Sequence, residues 1–315
     1  MHSQDHPGPS SPGAPRQARY VLKGQAQVAP ALDPGLHIVA TPIGNLRDMT
    51  VRAIETLAAC DLIACEDTRV SRKLLDHYGI SVPLLPYHDH NAAGMRPRLI
   101  ERLADGAAVA LVSDAGTPLI SDPGYKLVRA VQEAGYAVHT VPGASSVLAA
   151  LTVSGLPTDR FFFEGFLPSK STQRQQRIAD LARIPATLVL FESGPRVAET
   201  LADLAQGLRS RTAALCRELT KLHEEVRRAD LPALASHYAG DAETRGEIVI
   251  VIAPPEAQEH ATDPDRLDAM LRDALLRLSV KEAVAEIASV TGQPRRDVYQ
   301  RALELKQALK QGRPE

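Results

Sequence analysis

The sequence predicts an α/β fold in which two α/β domains form a cleft and a small C-terminal helical region follows. Three observations support this prediction. Short apolar runs typical of buried strands alternate with helical patterns between residues 34 and 155, and the alternation starts again between residues 156 and 254. Residues 255–315 then read as a linker and a purely helical region. The chain has 315 residues, 44% of them hydrophobic, so each unit can bury a core.

Residues 1–33 are expected to form a disordered N-terminal tail, because their beginning is rich in Pro, Ser and Gly and has no apolar period. The N-terminus lacks the charged-then-apolar order of a signal peptide, and no apolar run approaches the roughly 20 residues of a membrane span. We therefore expect a cytoplasmic protein without membrane contact. The net charge of −2 gives no global positive field, so nucleic-acid binding would need a local basic surface.

The first domain is predicted to contain a parallel sheet covered by helices. Its apolar runs are short and continuous, as in strands buried on both faces, and Gly79 and Gly106 can end helices. The predicted elements are, in order, strand 36–40, helix 50–60, strand 61–65, helix 70–77, strand 82–86, helix 96–104, strand 109–113, helix 125–134 and strand 136–141.

The second domain shows a similar alternation of predicted strands and helices, and no internal sequence repeat is visible. Its predicted elements are strand 161–166, helix 172–183, strand 186–191, helix 197–208, strand 212–216 and strand 247–253. In the C-terminal region, Ser279 and Glu282 form a capping box, Gly292 can end that helix, and Pro294 suits the first turn of the next. This pattern indicates a helical hairpin with the outline of a helix-turn-helix unit.

The most distinctive stretch is 109–124, VALVSDAGTPLISDPG, where a buried strand stops abruptly in a loop stiffened by Pro118 and Pro123. We call residues 113–124 the cleft loop. In open α/β sheets, ligands bind outside the carboxyl ends of the strands, so a small molecule is expected beside this loop. Ordinary turn chemistry is the alternative, because Gly, Pro and Asp commonly serve turns.

Other loops follow strands at the same expected edge. The loop over 40–50 has one glycine, Gly44, where a dinucleotide-binding fingerprint needs three. Glu66 and Asp67 stand where an acid could bind a ribose, or they could simply favour a helix start. Ser145 or Ser146 could cap a helix or hold a carboxylate or ribose. Because these loops and the cleft loop are expected at the same edge of one sheet, a bound ligand explains them better than a set of unrelated turns does.

The sequence does not predict a metal site. YHDHN over 87–91 places His88 and His90 in five residues, but no further ligands with familiar spacing accompany them, so a polar cleft loop is the favoured interpretation. The cysteines Cys60, Cys65 and Cys216 show no CxxC spacing and are expected to be buried, reduced thiols.

Basic residues cluster in two places. The run 217–228 could be a solvated charged face, or its cations could gather near the cleft to contact phosphates; they are Arg217, Lys221, Arg227 and Arg228. The last helix could extend this surface with Arg295, Arg296, Arg301, Lys306 and Lys310. The same helix has apolar Val298, Ala302 and Leu305, so RNA contact and packing of a dimer or domain both remain open.

The loops taken together resemble a known family. The segments that carry the resemblance are ATPIGNLRDMT, ACEDTR, YHDHN, LVSDAGTPLISDPG, VPGASS, FFEGFLP, FESGPR, RELTKLHEE and RGEIV, in this order. They are similar to the 16S rRNA branch of the tetrapyrrole methylase superfamily, the class III S-adenosylmethionine-dependent methyltransferases, over residues 36–309. The resemblance implies a homodimer that binds S-adenosylmethionine between its two α/β domains. It also implies 2′-O-methylation of a decoding-centre cytidine in 16S rRNA of the 30S subunit.

The resemblance also implies which residues contact the cofactor: Ile43, Gly44, Ala115, Gly116, Thr117, Ile120, Ser145, Ser146, Glu192 and Gly246. The chain departs from the GxGPG-type first loop and the Gly-Gly-Asp-Pro signature of porphyrin methylases, with TPIGN and Ala115-Gly116-Thr117-Pro118 in their places. These departures match the rRNA branch.

Methyl transfer to a ribose hydroxyl needs in-line positioning and is helped by a general base. We hypothesise that Glu66, Asp67 or His88 supplies that base or orients the hydroxyl. The residues expected to contact RNA are Arg69, His90, Asn91, Arg196, Lys221, Arg295 and Arg296. Two alternatives stay open: a small-molecule methylase of the same fold, and an RNA-binding module without enzymatic activity.

Overall fold

The structure is a computed structural model, and it describes residues 18–240, 244–255, 264–291 and 293–311. The first unit contains β1 Arg19–Leu22, β2 Gln25–Val28, β3 Gly35–Val39, α1 Val51–Ala59, β4 Leu62–Cys65, α2 Thr68–His77, β5 Leu84–Pro86, α3 Ala92–Ala104, β6 Ala108–Val112, α4 Tyr125–Glu133, β7 Val138–Val141 and α5 Ser146–Ser154. The second contains β8 Phe161–Phe166, α6 Ser171–Leu181, β9 Thr187–Ser193, α7 Val197–Leu208, β10 Thr212–Arg217, β11 Glu225–Asp230, α8 Leu231–Tyr238 and β12 Glu247–Ile252. The C-terminal helices are α9 Pro264–Arg277, α10 Val280–Thr291 and α11 Arg295–Gln311.

The first sheet has five parallel strands in the order β5-β4-β6-β3-β7. Every residue of β6 is buried, because this central strand is covered on both faces. Leu57 and Ile63 belong to the apolar cluster on one face, and Leu36 and Leu127 belong to the cluster on the other. Parallel pairing brings the carboxyl ends of all five strands to one edge of the sheet, where the loops singled out in the sequence lie together.

The second sheet has the order β11-β10-β12-β9-β8. Strands β8 and β9 are parallel, whereas β9, β12, β10 and β11 pair antiparallel with their neighbours. The register of β8 shifts between Phe163 and Gly165, and a Cβ added at Gly165 would lie 3.0 Å from the Ser121 hydroxyl oxygen. The irregular strand therefore brings the second sheet against the cleft loop of the first.

Helix α5 joins the two units. Its residues Val147, Ala150 and Leu151 share one apolar cluster with Val189 and Val249 of the second sheet. Five of its nine residues are Ala, Val or Leu on the face or flanks that pack against the second sheet, whereas Leu148 is 55% exposed. Ile43, from the loop after β3, belongs to the same cluster, so the first unit is joined to the second sheet by a shared apolar core.

The structure departs from the sequence prediction at several elements. The expectation of disorder over 1–33 is wrong for residues 19–28, which form the β1–β2 hairpin; residues 1–17 lie outside the described residues. The hairpin is fixed by a hydrogen bond from the Val21 amide to the Tyr78 carbonyl, 2.7 Å long. Helix α3 begins four residues earlier than predicted, and β11 and α8 were not predicted. The domain boundaries at 155 and 254 stay predictions.

The C-terminal helices α9 to α11 pack around a separate core that includes Leu271, Ile287 and Val298. The predicted capping box is present, since the Ser279 amide donates to a Glu282 carboxylate oxygen at 3.1 Å. Gly292, the predicted helix end, lies outside the described residues. The three cysteines are buried and free, as predicted. Among the described helices, none has the length and apolar character to cross a membrane.

Candidate active site

A cleft of about 770 Å³, including its open mouth, lies between the carboxyl edge of the first sheet and the second sheet. It is lined by Ile43, Ala115, Gly116, Thr117, Ile120, Ser121, Asp122, Ser145, Ser146, Val147, Phe166, Phe191, Glu192, Glu247, Ile248 and Val249. The wall therefore combines backbone and hydroxyl groups of the first domain with apolar and aromatic side chains of the second.

Three loops of the first domain are hydrogen-bonded to one another at this cleft. The Thr41 and Gly116 main chains exchange hydrogen bonds of 2.8 and 3.1 Å. The Thr41 hydroxyl donates to the Ser113 carbonyl at 3.2 Å, and the Thr117 hydroxyl donates to the Ala144 carbonyl at 3.1 Å. The loops after β3, β6 and β7 consequently form one rigid wall.

The cleft loop has an unusual backbone. Gly116 has φ of +76°, a value that glycine adopts without strain, and an added Cβ would lie 3.3 Å from Ile43 Cγ2. Leu119 and Ser121 have φ of +76° and +62°, which costs L residues roughly 1–2 kcal/mol each. Backbone strain of this kind concentrates at ligand-binding and catalytic loops.

Helix α5 begins beside the cleft loop, just after Ala144. Ser145 is its N-cap, and the Ser145 hydroxyl accepts a hydrogen bond of 3.5 Å from the Leu148 amide. The first amides of a helix lack intrahelical acceptors and carry partial positive charge. Ser145 and Ser146 therefore offer donors to a carboxylate or a hydroxyl in the cleft.

The structure brings most of the predicted cofactor residues together. Those that line the cleft are Ile43, Ala115, Gly116, Thr117, Ile120, Ser145, Ser146 and Glu192. Gly44 lines an adjoining hollow with Lys73, Asp114 and Lys221, and its Cα packs against the Lys221 side chain. Gly246, at φ +97°, packs against Glu218 and does not line the cleft.

Two of the lining side chains already have partners. Glu192 is 2% exposed; its carboxylate accepts from the Ser193 amide at 2.8 Å and from the Thr200 hydroxyl at 2.6 Å, and Arg196 lies 3.5 Å away. The Thr117 hydroxyl is bound to the Ala144 carbonyl. The backbone at these positions, rather than the side-chain oxygens, is what the cleft offers to a ligand.

The predicted acids differ in environment. Asp67 caps α2 by accepting from the Arg69 amide at 2.8 Å and binds the Arg69 guanidinium at 2.6 Å. These contacts, first the Arg69 side-chain hydrogen bond, lower the pKa of Asp67 to about 2, which makes it a weak base. Burial, followed by the charges of Asp114 and Asp89, raises the pKa of Glu66. Neither Glu66 nor Asp67 lines the cleft.

His88 follows β5 beside these acids. Its Nδ1 is buried and has no hydrogen-bond partner in the described part of the chain. Its ring lies 6.0 Å from that of His90 in an edge-on arrangement. Within the described residues there is no group of three or more His, Cys, Asp or Glu side chains arranged to hold a metal ion.

Asp122 is a cleft residue that sequence reasoning passed over as part of a turn. Its side chain lines the cleft, and burial, followed by the charge of Glu66, raises its pKa to about 6. No local pattern in the sequence signals this shift, because Glu66 stands at the end of a different strand. Parallel strand pairing brings the two acids together.

The aromatic side chains of the second domain were also missed. Phe166 and Phe191 line the cleft with ring centroids 5.7 Å apart, and Phe163 meets Phe191 at 4.9 Å, both pairs edge-to-face. Phe166 is 55% exposed, which is unusual for so large an apolar side chain. FFFEGF indicated a strand, and only the register shift at Gly165 turns Phe166 toward the cleft mouth.

Several residues expected to contact RNA are bound within the protein. The Asn91 side chain bridges the His88 amide and the Pro86 carbonyl, both at 2.9 Å, and Arg196 donates to the Leu167 carbonyl at 2.8 Å. Lys221 binds Glu218 at 2.9 Å and Glu247 at 3.2 Å. These contacts reduce what the three side chains can offer to phosphates.

The remaining predicted RNA contacts differ in exposure and pairing. Arg69 is exposed and paired with Asp67, and His90, Arg295 and Arg296 are exposed. In the charged run, Arg217 and Arg227 both bind Glu225, and Arg228 donates to the Ser154 carbonyl at 3.0 Å. The exposed cations at the start of α11 are therefore the freest of the predicted set.

The chain is similar in sequence to a known family of methylases. Residues 35–235 match the family model of tetrapyrrole (corrin/porphyrin) methylases, and residues 261–306 match the RsmI C-terminal HTH domain. The chain is 50% identical over 293 residues to ribosomal RNA small subunit methyltransferase I of Mesorhizobium japonicum, covering 92% of this chain and 99% of that protein. It is 44% identical to the protein of that name from Pseudomonas aeruginosa, over 85% of this chain and 96% of the relative.

Solved structures share the fold at lower identity. Diphthine synthase aligns with a TM-score of 0.56 and 18% identity over 69% of this chain and 89% of its own. Uroporphyrin-III C-methyltransferase from Thermus thermophilus, complexed with S-adenyl homocysteine, aligns with a TM-score of 0.50 and 20% identity over 70% and 97%. These likenesses support the arrangement of two α/β units around a cleft.

Proposed function

The chain belongs to the tetrapyrrole methylase family and is a methyltransferase, and from this premise we propose that it 2′-O-methylates a decoding-centre cytidine in 16S rRNA of the 30S subunit, using S-adenosylmethionine. The observation that carries the proposal is a sequence identity of 44% and 50% to two proteins named ribosomal RNA small subunit methyltransferase I, over 85% and 92% of this chain. A ribosomal substrate also implies a cytoplasmic enzyme. We further propose a homodimer, as the family resemblance implies.

The side chains and backbone groups that line the cleft fit the chemistry of S-adenosylmethionine. Ile43, Val249 and the ring of Phe191 supply apolar surface for the adenosine, and the first amides of α5 supply donors for the carboxylate. When bound, the cofactor supplies a methyl group on a positively charged sulfur. The cleft residues proposed to hold it are Ile43, Ala115, Gly116, Thr117, Ile120, Ser145, Ser146 and, through its backbone, Glu192. Gly44 and Gly246, which the resemblance also implies, lie outside this lining and are proposed to shape the loops beside it.

The protein's own contribution is chiefly positioning. The rigid wall made by the loops around Thr41, Gly116 and Ala144 holds its donors without rearrangement, so the reacting groups can meet in line. Glu66 and His88 stand behind this wall at the ends of β4 and β5, where they can shape the electrostatics of the cleft. We propose them as positioning residues, and the low pKa of Asp67 makes it the weakest candidate for a base.

We propose that the RNA crosses the cleft mouth and reaches the C-terminal helices. Arg69 and His90 border the strand ends, and Arg295 and Arg296 are exposed at the start of α11. A cytidine inside a folded helix would need to leave its stack before its ribose could enter the cleft. The exposed ring of Phe166 at the mouth offers a face on which a displaced base can stack.

The second candidate is a methylase of small tetrapyrrole-like molecules, because solved structures of such enzymes share the fold. The C-terminal HTH match, found beyond the methylase region, favours a macromolecular substrate. The test supplies labelled S-adenosylmethionine with either 30S subunits or uroporphyrinogen III. We expect label in RNA only; label in the porphyrin and none in RNA would overturn the proposal.

A further inference from the structure

Three carboxylates line the cleft, and two of them are already engaged. Glu192 is buried and satisfied by the Ser193 amide and the Thr200 hydroxyl. Glu247 is bound to Lys221, with its side chain 71% exposed. Within the described residues, Asp122 has no ion pair with any cation. It is therefore the carboxylate in the cleft wall that can accept a proton from a bound substrate.

The backbone holds Asp122 in a defined place. Ser121, with φ of +62°, precedes it, and Pro123 and Gly124, the latter with φ of +141°, follow it. A Cβ added at Gly124 would lie 2.9 Å from Leu111 Cδ2, so the loop packs closely on β6. The backbone next to Asp122 is therefore held in sparsely populated conformations, as is common at functional sites.

The charges that face Asp122 come from neighbouring strand ends. Glu66 follows β4 and Asp114 follows β6, and both act on it electrostatically. Across the cleft stand Glu192 and Glu247 of the second sheet. This acidic surrounding opposes a further negative charge at Asp122 and thereby increases its affinity for a proton.

We infer that Asp122 is the catalytic residue that accepts the ribose hydroxyl proton during methyl transfer. The inference rests on the proposed function. A lone pair of the ribose 2′-oxygen forms the new C–O bond to the methyl carbon, while the C–S bond breaks and leaves its electron pair on sulfur. The hydroxyl proton passes to a carboxylate oxygen of Asp122, which then releases it to water.

The proton affinity of Asp122 suits this role. With a pKa of about 6, the group is mostly ionised at pH 7 and is still a stronger base than an ordinary Asp, whose pKa is about 3.9. General-base efficiency is greatest when the pKa lies near the working pH. Asp67, whose pKa is held near 2 by Arg69, lacks this property and does not line the cleft.

Glu66 acts in this reaction as a positioning residue. Its charge is the second cause of the raised pKa of Asp122, after burial. Neutralising it in Glu66→Gln should move the acid limb of the pH–rate profile to lower pH without abolishing turnover. A residue with a merely structural role would change the rate and leave the position of this limb unchanged.

The test compares Asp122→Asn with Asp105→Asn, an exposed control at the opposite end of β6. Single-turnover methylation of 30S subunits is measured at saturating S-adenosylmethionine from about pH 5 to about pH 8, and cofactor affinity is measured by calorimetry. For the wild type we expect a rate that rises with pH through about 6 and then levels. Asp122→Asn should lose about 100-fold or more in rate and lose this limb, with cofactor affinity within threefold.

Wild-type-like rates in Asp122→Asn would overturn the inference, as would an unchanged pH limb in that variant. If Asp122→Asn does not fold, the pH–rate profile of the wild type tests the inference instead. A wild-type profile whose rate does not rise through about pH 6 would overturn the inference about Asp122. A rise that stays at the same pH in Glu66→Gln would overturn it as well. Failure of the wild type to methylate RNA at any pH would instead contradict the proposed function. The two failures are therefore distinguishable.

Discussion

Thr41 and Gly116 exchange two main-chain hydrogen bonds, with the Thr41 amide 2.8 Å from the Gly116 carbonyl and the Gly116 amide 3.1 Å from the Thr41 carbonyl. This short antiparallel bridge joins the loop after β3 to the cleft loop after β6. It brings Ile43 and Thr117 into one wall of the cleft. The cofactor site proposed here depends on this bridge, because each loop alone would be an ordinary strand connection.

Gly116→Ala should weaken binding of S-adenosylmethionine about tenfold. The new Cβ requires φ near +76° and lies 3.3 Å from Ile43 Cγ2, so the wall must shift. The control is Gly106→Ala, which carries a similar backbone penalty at φ +80° with nothing within 4 Å of the new atom. Calorimetric titration measures both variants. Equal affinity in Gly116→Ala and Gly106→Ala would contradict the proposed role of the bridge.

Asp203→Asn should lower the free energy of unfolding by about 3 kcal/mol at pH 7, because it removes the nearest anionic partner of the buried Arg174 guanidinium and leaves Glu199, 3.6 Å away, as its remaining ion-pair partner among the described residues. Arg174 is 2% exposed, and its Nε lies 2.6 Å from an Asp203 carboxylate oxygen. Urea unfolding measures the effect. The exposed pair Arg129–Glu133 provides the control, and Glu133→Gln should leave stability unchanged within error.

The loss of stability in Asp203→Asn should depend on pH. Burial alone would raise the pKa of Asp203, but hydrogen bonds from Gln175 and Arg174 and the Arg174 charge lower it overall. A carboxyl with a lowered folded-state pKa stabilises above its unfolded value, and this stability is lost as pH falls through the folded-state pKa. The difference between wild type and Asp203→Asn should therefore shrink below about pH 4. A difference that stays constant down to about pH 3 would be inconsistent with this ion pair.

Replacing both Arg295 and Arg296 by Ala should weaken binding to 30S RNA and reduce its dependence on salt. Each lost phosphate contact lowers the slope of log affinity against log salt by roughly 0.7–0.9. Cofactor affinity should not change, because the cleft lies in the first two units. The matched control replaces exposed Arg98 and Arg102 of α3. If both double variants show the wild-type slope, α11 does not contact RNA and its exposed face serves packing instead.

The sequence predicted the buried strands well and the edges poorly. Residues 108–112 are buried throughout, so their apolar run was sufficient to identify β6. Strand β11, EVRRAD, lies at the edge of its sheet beside β10 and has no apolar run, so its charges resembled a solvated face. The β1–β2 hairpin carried a signal in Lys23-Gly24, both with positive φ, that a turn-based interpretation could have found.

The sequence predicted the site residues that lie in loops after parallel strands. It did not predict the contacts between side chains that are distant in the sequence. The residues around Gly116 and Ser145 fall on one sheet edge because of topology alone. Lys221 was expected to be free for phosphates, but the register of β12 places Glu247 beside it. Asp122 owes its proton affinity to burial and to Glu66, which no local sequence pattern indicates.

The central claim is that methyl transfer reaches a ribose hydroxyl in 16S rRNA. The most direct measurement is to methylate unmodified 30S subunits with labelled S-adenosylmethionine, digest the RNA and identify the labelled nucleoside by mass spectrometry, with its position mapped by primer extension. We expect 2′-O-methylcytidine at a single decoding-centre position. Label on a base, on another nucleoside or on no RNA at all would contradict it.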